Sequence, residues 1–187
     1  DAEAAAETEA DAVEEAATIT DEQQTEAPAA VQNPAPTSEE AVTLAADPVT
    51  DEESLKAAIE SGGEVVLGSN ITLSAGIEIP SGTTVTIDLV GYALTGANDT
   101  YVIRAQSGSV LNVKNGVISV GEWRSNWSWG VDNRGGNVTI EDVTFKGSYS
   151  GDAVTANSEA GQSTNGTTTL IDVEIDSNFD NAACAYN

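Results

Sequence analysis

Apolar and polar positions alternate along much of the chain in short runs. Val65-Val66-Leu67, Ile71-Thr72-Leu73, Ile77-Glu78-Ile79 and Thr84 to Leu89 come first, separated by Gly, Asn, Asp and Ser. Runs this short and this close predict β-strands and leave no room for helical crossovers. The pattern then repeats. Val85-Thr86-Ile87-Asp88 is followed by Leu94-Thr95-Gly96, Leu111-Asn112-Val113-Lys114 by Ile118-Ser119-Val120-Gly121, Val138-Thr139-Ile140-Glu141 by Phe145-Lys146-Gly147, and Thr168-Thr169-Leu170-Ile171 by Ile175-Asp176-Ser177. Aligning Ile87, Val113, Ile140 and Leu170 gives spacings of 26, 27 and 30 residues. A third run precedes each later copy: Tyr101-Val102-Ile103-Arg104, Gly130-Val131-Asp132 and Ala153-Val154-Thr155-Ala156.

Three short strands per repeat of this length describe one rung of a solenoid. The fold expected is all-β: a right-handed parallel β-helix of about five rungs. Val85, Leu111 and Val138 form one inward column, Ile87, Val113, Ile140 and Leu170 a second, and Leu94, Ile118, Phe145 and Ile175 a third. Thr86, Asn112, Thr139 and Thr169 alternate with them and face outward. An antiparallel sandwich is the competing architecture, and it would pair these strands in the opposite sense.

Ahead of the strands, Thr50 to Ile59 reads as a short helix. Thr50 is the expected N-cap with Glu53 at the capping-box spacing, Leu55, Ala58 and Ile59 share a face, and Ser61-Gly62-Gly63 ends it. This helix is expected to cover the first rung, whose open strand edges would otherwise invite aggregation. Residues 1–49 are expected to form a disordered acidic leader rich in Ala, Glu and Pro, and residues 50–187 the β-helix domain. The leader has no aromatic and no basic residue, and low hydrophobicity with high charge does not sustain a core.

Charge narrows the choice of partners. The 187 residues carry 31 acidic and 6 basic side chains, for a formal net charge of −25. Nucleic acid is excluded as a partner, because its affinity rests on Lys and Arg neutralising phosphates. An anionic membrane surface is disfavoured on the same ground, and no apolar run reaches the roughly 20 residues that span a bilayer. Without a single His, the chain lacks the commonest general base and neutral metal ligand. Its one cysteine, Cys184, can form no internal disulfide and is expected to be a small core residue. The chain has no Met and opens at Asp1, so a removed secretory signal or another upstream boundary is expected.

The stretch from Gly63-Glu64-Val65-Val66-Leu67-Gly68-Ser69-Asn70-Ile71-Thr72-Leu73 to Ile77-Glu78-Ile79-Pro80-Ser81-Gly82-Thr83-Thr84-Val85-Thr86-Ile87-Asp88-Leu89 resembles the opening of pectate-lyase-like β-helix regions in large surface proteins of Gram-positive bacteria. The resemblance covers about residues 51–177. It implies a secreted or cell-surface location and a non-catalytic, adhesive module that binds a glycan or a host or cell-surface protein. The runner-up is a fragment of a polysaccharide lyase or glycoside hydrolase acting on acidic polysaccharide. The family's enzymes use clustered acids, often holding calcium, with an Arg or Lys base. No motif here carries those residues over, and no catalytic residue is assigned.

The most distinctive segment is Gly121 to Arg134, which holds all three tryptophans within seven residues. Trp123, Trp127 and Trp129, flanked by Arg124, Asp132 and Arg134, suit sugar stacking with polar groups fixing the hydroxyls. The plainer alternative is that the indoles fold back and cover the corner of the rung. Arg124 and Arg134 near Asp132 are also the only group with a catalytic look. Asn115, Asp142 and Asp172 align at one corner, with Asp88 nearby. A calcium site is weaker there than a ladder of turn residues, so neither a metal nor a cofactor is expected. Five Asn-X-Ser/Thr sequons, at Asn70, Asn98, Asn126, Asn137 and Asn165, are read as turn residues entering Thr-rich strands. The excursion from Asn157 to Gly166 is expected to be a flexible loop. Asn181 to Asn187 matches Asp152 to Asn157 and begins a fifth repeat, so further rungs and a wall anchor are expected beyond it.

Overall fold

All strand pairs in the computed structural model run parallel, which rules out the sandwich. The structure describes residues 47–147, 150–156, 166–176 and 178–185. The expectations for the leader before residue 47 and for the loop at 157–165 lie outside the described residues.

The first layer contains β1 (Gly63–Val66), β2 (Ile71–Thr72) and β3 (Ile77–Ile79), and the second β4 (Thr84–Asp88), β5 (Ala93–Thr95) and β6 (Tyr101–Ala105). In the third, β7 (Val110–Val120) runs through a corner along two walls before β8 (Trp129–Asn133). The fourth repeats this with β9 (Asn137–Gly147) and β10 (Ser150–Ala156), and the fifth has β11 (Thr167–Ile171), β12 (Glu174–Ile175) and β13 (Phe179–Ala185). Two walls merge into one 8-stranded sheet, and β3, β6, β8, β10 and β13 stack as a 5-stranded sheet. About four turns of a parallel β-solenoid separate the first layer from the last.

Register follows the sequence columns. Val65, Ile87, Val113, Ile140 and Leu170 pair in succession, as do Ile71, Leu94, Ile118, Phe145 and Ile175. Ile87, Leu94, Leu111, Ile118, Ile140 and Phe145 are fully buried in one continuous core. Thr86, Asn112, Thr139 and Thr169 form the alternate row, with Asn112 Nδ2 donating to Thr86 Oγ1 at 3.3 Å. The corner ladder is also present. Asn115, Asp142 and Asp172 adopt positive φ of 60°, 51° and 49°, a region that Asn and Asp tolerate better than other side chains.

Two local expectations are corrected. Helix α1 (Glu52–Ser61) buries Leu55 and Ile59, but its N-cap is Asp51, one residue later than expected. The Asp51 carboxylate accepts the Ser54 N–H at 2.8 Å, so the capping box is Asp51–Ser54 instead of Thr50–Glu53. Thr50 is held outside the helix: Val49 bridges Leu67 in parallel, and the Thr50 carbonyl accepts the Ser69 hydroxyl at 2.9 Å. Cys184 is not in an inward column. It pairs with Thr155 in the row of Glu78, Arg104 and Asp132 and is partly exposed, while Ala183 and Ala185 follow Val154 and Ala156.

Candidate functional site

The tryptophan segment leaves β7 at Val120 and re-enters the sheet at Trp129. Its conformation is set from one layer below. Asp99, between β5 and β6, aims its carboxylate into the loop, where Oδ1 accepts three successive backbone N–H groups, from Arg124 (2.6 Å), Ser125 (2.7 Å) and Asn126 (2.9 Å). Oδ2 accepts the Ser125 hydroxyl at 3.0 Å. Successive amides converging on one anion form a nest. The bonds from Asn126, Ser125 and Arg124 favour the ionised carboxylate and hold the Asp99 pKa far below the ordinary range. Asn98 Oδ1 accepts the Glu122 N–H at 2.9 Å, and the buried Ser128 hydroxyl closes the base by donating to the Glu122 carbonyl at 3.0 Å.

On this base Trp123 and Trp127 stack with ring centroids 4.2 Å apart and 22° between planes. They remain 38% and 39% exposed. Arg124, next to Trp123 in the chain, is exposed, its guanidinium paired with Glu122 at 2.6 Å. This pair is open to solvent, so it contributes little to stability.

The other three candidates form a second group on the 5-stranded sheet. Trp129 is half-buried, and its indole N–H is the buried side-chain polar atom that has no hydrogen-bond partner among the described residues. Asp132 is fully buried. Its Oδ2 accepts from Arg104 Nε at 2.7 Å and Arg134 Nε at 3.0 Å, and its Oδ1 from the Thr155 hydroxyl at 3.2 Å. Arg104 also lies over the Tyr101 ring, 3.7 Å from its centroid, and Tyr101 donates its hydroxyl to Glu78 at 2.8 Å. The expected cluster of six thus divides into an exposed trio, Trp123, Arg124 and Trp127, and a set locked into the wall, Trp129, Asp132 and Arg134.

Sequence reasoning missed Asp99, Asn98, Ser128 and Arg104 as partners of this segment. A signal existed for the first two. Asn98 and Asp99 lie 24 to 27 residues before the amides they bind, which is one repeat. At the Asn115–Asp142–Asp172 corner, Asn115 Nδ2 donates to Asp88 Oδ1 at 3.1 Å and Lys114 pairs with Asp88 at 3.3 Å. No group of three or more His, Cys, Asp or Glu able to hold a metal ion occurs among the described residues.

No helix among the described residues is long and apolar enough to cross a membrane. Comparison with protein-family models, curated proteins and solved structures gives no match, so the solenoid fold stands on the strand register alone and the likeness to pectate-lyase-like surface proteins has no family match behind it.

Proposed function

We propose that the solenoid is a non-catalytic extracellular binding module that holds a glycan against Trp123 and Trp127, with Arg124 as a polar neighbour. The observation that carries this reading is the exposed indole pair on a braced loop. The part of this stacked pair left in water is an apolar aromatic surface, and the C–H face of a pyranose stacks well on indole. The Asp99 nest fixes the loop before any ligand arrives, so less ordering entropy opposes binding. Display on a bacterial cell surface, in an adhesive role, fits such a module.

The arrangement around Asp132 favours binding over bond cleavage. A general acid or base must reach a proton on the substrate. The Asp132 carboxylate is closed to solvent and taken up by two guanidiniums and a hydroxyl. We read it as a bridge that ties the rungs together.

The test is a glycan-binding screen of the protein by calorimetry, followed by Trp123→Ala and Trp127→Ala. Indole stacking is worth about 1 kcal/mol, so each change should weaken affinity several-fold. Unchanged affinity in the double variant, or cleavage of the bound glycan, would overturn the proposal.

A further inference from the structure

We infer that the ligand of the Trp123–Trp127 pair is an uncharged glycan, and that the site discriminates against uronate and sulfated polymers. This rests on the glycan-binding reading above and adds its substrate class. An acidic sugar needs a cation that can turn to it, because Arg and Lys are the groups that recognise carboxylate and sulfate. The chain has six basic residues, and five of them are ion-paired with a carboxylate. Lys56 pairs with Glu52, Lys114 with Asp88 and Glu64, and Arg104 and Arg134 share Asp132. The sixth, Lys146, is exposed on β9 in register with Ser119 and lines a cleft with Glu174 and Asp176.

The cation nearest the indoles in sequence is Arg124, which follows Trp123 directly. Both Nε and Nη2 reach the same Glu122 oxygen, at 2.8 and 2.6 Å. The Asp99 carboxylate, one layer below, adds a second negative charge bound to three amides of the same loop. The neighbourhood of the stacked rings is therefore net negative, within a chain whose formal charge is −25. An approaching uronate meets a net negative neighbourhood and must draw Arg124 away from Glu122, whereas a neutral pyranose meets an apolar ring face and several hydrogen-bonding groups. The same electrostatics sets a salt signature. Binding of a neutral ligand is nearly independent of ionic strength, and whatever residual affinity exists for an anionic one rises with salt as the repulsion is screened.

The deciding experiment uses an array of neutral, uronate-bearing and sulfated oligosaccharides. It is paired with calorimetry on polygalacturonate and on the same polymer after carboxyl reduction, which makes it neutral. Neutral hits, with the reduced polymer preferred over the uronate by roughly ten-fold or more, are the result expected from unscreened repulsion. Glu122→Gln, which removes the carboxylate from Arg124, should raise uronate binding several-fold and narrow that gap. Preferential binding of uronate or sulfated glycans through Trp123 and Trp127 overturns this inference while leaving the binding reading intact. Absence of binding across all three classes overturns the reading and this inference with it.

Discussion

Asp99 and Ser125 lie 26 residues apart in the chain, yet the Asp99 carboxylate accepts both the backbone N–H of Ser125, at 2.7 Å, and its hydroxyl, at 3.0 Å. One rung thereby dictates the shape of the loop above it. The contact is open to water, so its value lies less in global stability than in the order of that loop.

Removing this carboxylate should loosen the indole pair. Asp99 sits at φ 56°, so Asp99→Gly keeps a residue suited to the backbone and deletes only the acceptor. The expected outcome is loss of the exciton signal of the stacked Trp123 and Trp127 in circular dichroism, and faster amide exchange at Ser125 and Asn126. The unfolding midpoint should move little. An unaltered exciton signal would show that the stack holds without the nest.

Acidification should reach two carboxylates of the solenoid, Glu52 and Asp99, in a definite order. Glu52 clamps α1 to the first layer. Its carboxylate pairs with Lys56 at 2.6 Å and accepts the Ser74 N–H and hydroxyl, both at 2.9 Å. The bond from Lys56 first, and those from Ser74 after it, lower its pKa to about 2. A carboxyl depressed in the folded state stabilises fully above its ordinary pKa of about 4.3, and that contribution fades as pH falls towards the folded value. The Ser74 amide resonance should therefore titrate with a midpoint near pH 2, and the Asp99 loop, whose carboxyl lies lower still, should persist beyond it. A Ser74 midpoint in the ordinary carboxylate range would contradict the clamp.

Much of this architecture was legible because a solenoid repeats its own register. Ile87, Val113, Ile140 and Leu170 recur at nearly even spacing in the chain, and the strands pair at those residues. The positive φ of Asn115, Asp142 and Asp172 was foreshadowed by their shared place after the first strand. Side-chain reach was not legible. Asn133 continues the column of Ile79 and Ala105, where pattern calls for an apolar residue. It is 1% exposed and fully satisfied: Nδ2 donates to the carbonyls of Gly136 and Thr167 and to the Thr168 hydroxyl, and Oδ1 accepts from Gly135 and Gly136. Likewise, nothing in the spacing of Asp132 says that two arginines from neighbouring positions close over it. The capping error had the same origin, since Thr50 and Asp51 are both good N-caps and only the Val49–Leu67 bridge decides between them.

Asp132 should behave as a structural bridge. Asp132→Ala removes the acceptor shared by Arg104, Arg134 and Thr155 and leaves two guanidiniums close together. Both arginine side chains are 14% exposed, and Arg104 retains Glu78 at 3.6 Å, so part of the loss is recovered. The expected cost is about 2 kcal/mol, below that of breaking a fully buried pair. Urea unfolding measures it. Adding Arg104→Met should recover some of the loss by removing one of the uncompensated cations, and a further loss of the same size would count against the bridge.

The corner ladder offers the sharpest test of the backbone argument. Asp142 turns the chain in the middle of β9 at φ 51°, between Glu141, which pairs with Lys114, and Val143, which pairs with Gly116. An L-residue pays roughly 1–2 kcal/mol for a left-handed conformation, and a β-branched side chain is least able to relax there. Glycine escapes that penalty but loses more entropy on folding. Asp142→Val should therefore destabilise by roughly 1–2 kcal/mol, although the position is exposed and loses no buried contact. Asp142→Gly and Asp142→Asn should lie within about 0.5 kcal/mol of the parent. Burial predicts no effect for all three, so equal midpoints for valine and glycine in a denaturant series would show that the corner can be turned without a left-handed residue, and the shared conformation of Asn115, Asp142 and Asp172 would lose its physical basis.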